Sequence, residues 1–358
     1  MNTALDDNQV AIRDLAADLF SRRVDAARVE KIEATTDRFD RELWSALADS
    51  GLLGAVVAEE HGGLGFGAVE LALVLEQLGR SVAPVPLVAT ALASWCLATH
   101  ATVGQRTRWL PGLLDGSRVV AVAAPASTVG VRADGDRLTG TVVGVAWAHV
   151  ADAVLLPVGA DVFLLDLASI APAAARGETT AREVALDLDL DGVPAERVGE
   201  SAAGWLRLRA RAALAAVQAG VTDAALRMTA DYTSQREQFD KPLSTFQGVA
   251  LKAADAYLDT TAIRATSMQA AWSLDQTDDA TLAVLTAAWW AAEAGQHCVH
   301  LTQHLHGGMG ADITYPVHRY FLWGKQIELL LGGASSLLEE LGGALNARPD
   351  AGHALVLD

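Results

Sequence analysis

The side chains that could do chemistry fall into three groups. The first is an imidazole cluster, His297, His300, His304 and His306, with the thiol of Cys298 among them. On a helix His297, His300 and His304 share one face, as metal ligands would, but imidazoles so loosely spaced usually fail as a metal motif. The second is a set of carboxylates, Glu328, Glu339 and Glu340, each a candidate general base and each more simply a solvated helix face. The third is apolar or glycine-rich. Trp289-Trp290 and the run Leu329 to Leu331 could line a groove, although helical cores and subunit interfaces use the same residues. Gly62-Gly63-Leu64-Gly65-Phe66-Gly67 would cradle a dinucleotide only between a strand and a helix; it lies between helical segments and reads as a loop.

The elements that must position these groups come in three stretches. From Asn8 to about Leu113, Ala and Leu recur at three- and four-residue spacings, broken at Gly51, Gly62-Gly63 and Pro84 to Pro86, which is an all-α pattern. Around Ser117 the text changes to short β-rich runs, Val119 to Ala124, Arg137 to Val145, Ala153 to Val158 and Val162 to Leu167, with turns at Asp134-Gly135-Asp136 and Gly159-Ala160. Runs about ten residues apart favour an antiparallel sandwich or barrel over alternating β-α units. From Trp205 the helical period returns and reaches about Leu345, with stops at Pro242, Asp275 to Asp279 and Gly307 to Pro316, so four long helices fit. The order helices, strands, helices has no strand-to-helix turn on which a nicotinamide site could stand.

Composition narrows the functions. The chain has 358 residues, 51% hydrophobic and 20% charged, enough apolar material for a large core in two or three domains. A formal charge of −17 leaves no basic surface to neutralise phosphates along a nucleic acid, so that partner is not expected. The two cysteines, Cys96 and Cys298, are too few for a disulfide framework and are expected to be buried free thiols in a reducing cytoplasm. Met1 to Gln9 lacks the pattern of a signal peptide, and the strongest apolar stretch, Leu282 to Ala292, is too short to cross a bilayer.

Two motifs then carry a resemblance. Arg236-Glu237-Gln238-Phe239-Asp240-Lys241-Pro242-Leu243-Ser244-Thr245-Phe246-Gln247 is similar to the Arg-x-x-Phe-Gly-x-x-Leu-x-x-Phe-Gln signature of acyl-CoA dehydrogenases, with Asp240 in place of Gly. Farther on, Leu305-His306-Gly307-Gly308-Met309-Gly310 and Tyr315-Pro316-Val317-His318-Arg319-Tyr320 resemble that family's Leu-x-Gly-Gly-x-Gly and Tyr-Pro-x-x-Arg-Tyr. Gly51 to Gly54 and Glu59 to Gly65 look like its N-terminal segment. The resemblance implies an α+β, mainly α fold: an N-terminal helical domain over 1–117, a middle antiparallel β domain over 118–201, a C-terminal four-helix domain over 202–346 and a tail over 347–358. It also implies FAD bound across a subunit interface, an acyl-CoA substrate dehydrogenated between its α and β carbons, and an electron-transfer acceptor. Position by position, Arg236 should meet the FAD pyrophosphate with Phe239 and Gln247 beside it, since a fixed cationic fork suits a diphosphate. Gly307 and Gly308 should approach the adenosine half, with His304 where the family commonly has Gln. The family has no metal in this stretch, so no metal is expected.

The same alignment finds no catalytic residue. The family's Glu falls on Leu331, followed by Gly332, Gly333, Ala334 and Ser335, and the alternative position, before an Arg on an earlier helix, falls on Ala210 before Arg211. The β-domain segments that hold the flavin ring also have no clean counterpart, at Ala123 to Thr128 and at Gly144 to His149. The expectation is half of a site: this chain serves the adenosine and pyrophosphate of an FAD whose ring, substrate and Glu belong to a related subunit in a heterotetramer. Some actinobacterial relatives form such assemblies in steroid side-chain breakdown. Three rivals remain open: an active homo-oligomer with a relocated base, a flavin monooxygenase or oxidase on the same fold, and a structural or regulatory subunit.

Overall fold

The computed structural model describes residues 4–170, 175–277 and 279–348; the rest of the tail expected from 347 lies outside the described residues. Six helices come first: α1 (Asp7–Arg23), α2 (Ala26–Glu33), α3 (Arg41–Asp49), α4 (Ala68–Ser81), α5 (Leu87–His100) and α6 (Val103–Leu114). Local chemistry starts them. Asp6 with Gln9 and Thr102 with Gln105 form reciprocal capping boxes at α1 and α6, and Asp25 and Asp40 accept backbone N–H groups at α2 and α3.

Eight strands follow: β1 (Val120–Val122), β2 (Arg132–Asp134), β3 (Arg137–Ala146), β4 (Ala153–Val158), β5 (Asp161–Asp166), β6 (Ala175–Glu178), β7 (Val184–Pro194) and β8 (Glu196–Gly199). They form two four-stranded sheets, ordered β1-β4-β5-β8 and β2-β3-β7-β6. Pairing is antiparallel apart from β1 with β4, where the chain crosses through the other sheet before returning. Val142, Leu188 and Leu190 of one sheet and Val154, Leu156 and Phe163 of the other share one buried core, as a sandwich requires. Of the strands that sequence reasoning passed over, β2, β6 and β8 are too short to show a period, while β7 alternates leucine with aspartate as a half-buried strand does.

The remaining elements are α7 (Ala202–Gln235), a small hairpin of β9 (Glu237–Gln238) and β10 (Lys241–Pro242), then α8 (Gln247–Gln276), α9 (Thr281–Leu305), α10 (Val317–Leu331) and α11 (Ala334–Asn346). The architecture is therefore the expected mainly α one, with helices before and after a central sandwich. The helix α11 is an addition, separated from α10 because Gly332 and Gly333 both take positive φ (89° and 83°) and stop the helix.

The chain divides into two compact units, one of Leu78–Val82 with the chain from Arg211 onward, the other of Ala4–Gln77 with Ala83–Ala210. Within the second, the Arg209 guanidinium lies 3.8 Å from the Trp205 ring centroid and 4.7 Å from that of Trp95, tying the start of α7 to α5. In the first, Gly79 lets the last turn of α4 press on α7; a Cβ there would stand 2.0 Å from the Val217 carbonyl oxygen. Tyr320 of α10 donates to the Arg80 carbonyl at 2.9 Å. Cys96 and Cys298 are buried free thiols, each pushed up to about 12 by burial. No helix among the described residues is long and apolar enough to cross a membrane.

Candidate functional site

The Arg236 motif folds as the end of α7 and the hairpin beyond it. The Arg236 N–H donates to the Tyr232 carbonyl (2.8 Å), and its own carbonyl accepts from Leu243 N–H (2.9 Å), so both sides of the peptide are fixed while the side chain is exposed. Strands β9 and β10 pair Gln238 with Lys241 and Glu237 with Pro242, leaving Phe239 and Asp240 as a two-residue turn. Both have positive φ, 54° and 63°, the backbone that the right-handed twist of a tight hairpin demands and that bulky residues resist. Phe239 is nevertheless 87% exposed at the tip. Lys241 Nζ stands over Phe246 at 4.3 Å, and Gln247, exposed, opens α8.

The glycine motif follows α9. His304, Gly307 and Gly308 are exposed at the helix end. Their glycines have different reasons. Gly307 has φ 58°, the left-handed turn that ends a helix. Gly310 is packed: a Cβ there would meet the Gln303 carbonyl oxygen at 2.3 Å, and Gln303 Nε2 donates to the Gly310 carbonyl at 2.9 Å. Gly308 has neither reason, because its φ is ordinary and a Cβ would meet nothing within 4 Å. A backbone kept bare without need from its own chain fits the close approach of an outside group such as the adenosine half of FAD.

The structure brings the two motifs together at one end of the helical bundle. The His306 ring, 1% exposed, stacks on Tyr232 with centroids 4.6 Å apart and planes at 24°, one turn before Arg236 and next to Gly307. Its Nδ1–H donates to the Thr302 carbonyl (2.8 Å), and burial holds its pKa below the usual imidazole range. Sequence reasoning named His306 only as a candidate ligand and as part of its motif, and gave Tyr232 no role; Tyr232 stands one turn from Arg236, which was the available signal.

On the imidazole face of α9, no group of three potential metal ligands gathers among the described residues. His297 Nδ1 bonds Asp259 Oδ2 (2.7 Å), and His300 Nδ1 bonds the Gln296 carbonyl (3.0 Å).

The α10–α11 junction holds a leucine and three nearby acids. Leu331 is 4% exposed, and Gly332 caps the helix after it. Glu328 is bound to Lys325 one turn back. Glu340 is exposed, as a solvated face requires, and also makes a two-point bond with Arg211, Nη1 to Oε1 at 2.8 Å and Nη2 to Oε2 at 2.6 Å. Glu339 is exposed on α11.

The sandwich segments expected at a flavin ring are Gly144 to His149 and Ala123 to Thr128. Gly144, with φ 67°, sits in an irregular stretch of β3 and brings no side chain. Trp147, the indole nearest that segment, is turned inward: it is 5% exposed, its Nε1–H donates to Glu183 (2.9 Å), and its ring packs edge-on against Phe39 at 6.0 Å. Burial pushes the Glu183 carboxyl up. The Thr128 hydroxyl donates to the Pro157 carbonyl at 2.8 Å.

Comparison with known proteins agrees with this geometry. Residues 6–117 match the model of the acyl-CoA dehydrogenase N-terminal domain, and 202–344 match that of the acyl-CoA dehydrogenase C-terminal domain. The chain is 38% identical to acyl-CoA dehydrogenase FadE27 of Mycobacterium tuberculosis over 343 residues, covering 89% of this chain and 92% of that one. A structure of the Tcur3481-Tcur3483 steroid acyl-CoA dehydrogenase, G363A variant, superposes with a TM-score of 0.88 at 43% identity, covering 96% of this chain and 99% of the other. The ChsE4-ChsE5 complex of Mycobacterium tuberculosis does so with a TM-score of 0.90 at 36% identity, covering 97% and 99%. This chain therefore belongs to the acyl-CoA dehydrogenase family of FAD-dependent oxidoreductases acting on carbon–carbon single bonds.

Proposed function

We propose that this chain is the base-free half of a heteromeric acyl-CoA dehydrogenase. Arg236 meets the FAD pyrophosphate, with Phe239 and Gln247 beside it, and His304, Gly307 and Gly308 border the adenosine. The isoalloxazine ring, the acyl-CoA and the catalytic carboxylate belong to a related partner subunit. Bound FAD supplies the hydride acceptor for the β-carbon of the thioester. The work of this chain is to hold the far end of that cofactor: a guanidinium against the diphosphate, a bare backbone against the nucleoside, an exposed ring at the hairpin tip.

The observation that carries the reading is the buried Leu331 at the base position, set against an intact and exposed Arg236 hairpin. The partner and the substrate class take support from two solved relatives, one a two-component complex and one a steroid acyl-CoA dehydrogenase. We therefore assign a steroid-derived acyl-CoA as substrate and an electron-transfer protein as acceptor.

Flavin stoichiometry tests this. Co-expressed with a Glu-bearing relative, the assembly should hold one FAD for each pair of unlike chains and bleach with a steroid acyl-CoA, while the chain alone should be colourless. One FAD per chain in the protein expressed alone, bleached by an acyl-CoA, would sink the proposal in favour of a homo-oligomer with an unrecognised base.

A further inference from the structure

We propose that Tyr232, His306 and Tyr315 form an aromatic clamp that holds Arg236 in register with the Gly307–Gly308 turn, which makes His306 a positioning residue for the dinucleotide end of the FAD site. The inference rests on the reading of Arg236 and the two glycines as cofactor contacts. The geometry of the clamp stands without it.

The two motifs leave the bundle on separate helices, α7 and α9, and a diphosphate and an adenosine on one cofactor need both ends at fixed separation. The His306 ring fills that need. It stacks on Tyr232 at 4.6 Å and leans on Tyr315 at 5.2 Å, while Tyr315 meets Tyr232 edge-on at 6.2 Å. Each ring is one short step from a proposed contact. The Tyr232 carbonyl accepts the Arg236 N–H, and His306 precedes Gly307. Tyr315 closes the glycine loop, its N–H donating to the Asp312 carbonyl (3.1 Å) while Asp312 Oδ1 takes the Thr314 N–H and hydroxyl (2.8 Å each).

The choice of His is informative. Its Nε2 is buried and without a partner among the described residues, which is unfavourable for packing alone. Phe would avoid that loss. What Phe cannot do is donate to the Thr302 carbonyl, one of the orphan acceptors at the end of α9, and that bond sets the plane of the ring against Tyr232.

The test uses the full chain, first alone and then in the FAD-bearing assembly. Amide hydrogen exchange is followed at Arg236 and Leu243. His306→Ala should speed both by about two- to tenfold, the range that loss of an aromatic pair provides, and His306→Phe should restore most of the protection. Should His306→Ala fail to fold, Tyr315→Leu removes the outer ring instead. In the assembly, His306→Ala should lower FAD affinity in wild type but not in an Arg236→Ala background, since it acts through Arg236. A lower melting temperature with unchanged exchange at Arg236 and Leu243 overturns the clamp. Arg236→Ala with unchanged FAD affinity overturns the cofactor reading, and the exchange result then judges the clamp by itself.

Discussion

The hairpin end of the helical bundle and the α10–α11 junction are built to opposite rules. At the hairpin the chain keeps features it does not need: a bulky aromatic in a left-handed backbone, an exposed guanidinium and a glycine with open space where a side chain could stand. At the junction Leu331 is buried, Glu328 is paired to Lys325 and Glu340 to Arg211, while Leu329 and Leu330 on the same helix stay exposed. Unfavourable local features persist where something outside the chain makes use of them. The first region keeps strained and exposed groups, whereas the second keeps its leucine buried and two of its acids paired.

The strongest way to break the contrast is to put the missing carboxylate back. Leu331→Glu buries an ionisable group where a leucine makes apolar contacts, and should destabilise the fold by about 3 kcal/mol or more. Denaturant unfolding would measure it. In the assembly this variant should add no second turnover site, because the sandwich of this chain presents Gly144 and an inward-turned Trp147 where ring contacts are needed. A second FAD, or turnover dependent on the new Glu, would show that the junction is a dormant active site.

How much of this was legible in the sequence differs between the regions. The hairpin was legible as a motif because Arg236, Phe239 and Gln247 stand at the spacing of a family signature. The acids near Leu331 were legible as candidates, but their partners were not. Glu340 meets Arg211, 129 residues away, and no local period reveals such a pair. Strands β6 and β8 were missed because four residues are too few to show a period, whereas β7 carries a readable alternation, Leu186-Asp187-Leu188-Asp189-Leu190-Asp191, that sequence reasoning overlooked. The Gly-Gly-x-Gly motif looked like one device, and only the backbone shows three glycines with three reasons.

Those reasons give the next comparison. Gly310→Ala places a Cβ 2.3 Å from the Gln303 carbonyl oxygen, so it should cost about 1–3 kcal/mol in the chain alone. Gly308→Ala, with nothing within 4 Å, should change stability by no more than about 0.5 kcal/mol. In the assembly the order should invert, with Gly308→Ala losing FAD while folding as wild type. Thermal unfolding and bound-flavin absorbance on the same samples separate the two. Equal flavin retention in wild type and Gly308→Ala would remove the adenosine from this loop.

The smallest effect sharpens the idea that the hairpin is kept for something beyond its own stability. Asp240 has φ 63° in the second position of the turn, where glycine fits without a Cβ penalty. Asp tolerates that conformation better than most residues, so Asp240→Gly should stabilise the hairpin by only about 0.5–1 kcal/mol, offset in part by the greater freedom of Gly in the unfolded chain. Phe239→Asn should relieve the larger strain at φ 54° while losing little burial, because the ring is 87% exposed. A chain that is as stable or more stable as Phe239→Asn, yet binds its partner or FAD less well, would show that the ring is retained for contact across the interface. Destabilisation by that change would instead assign Phe239 to its edge-on pair with Phe246, 6.3 Å away, and return this part of the hairpin to ordinary packing.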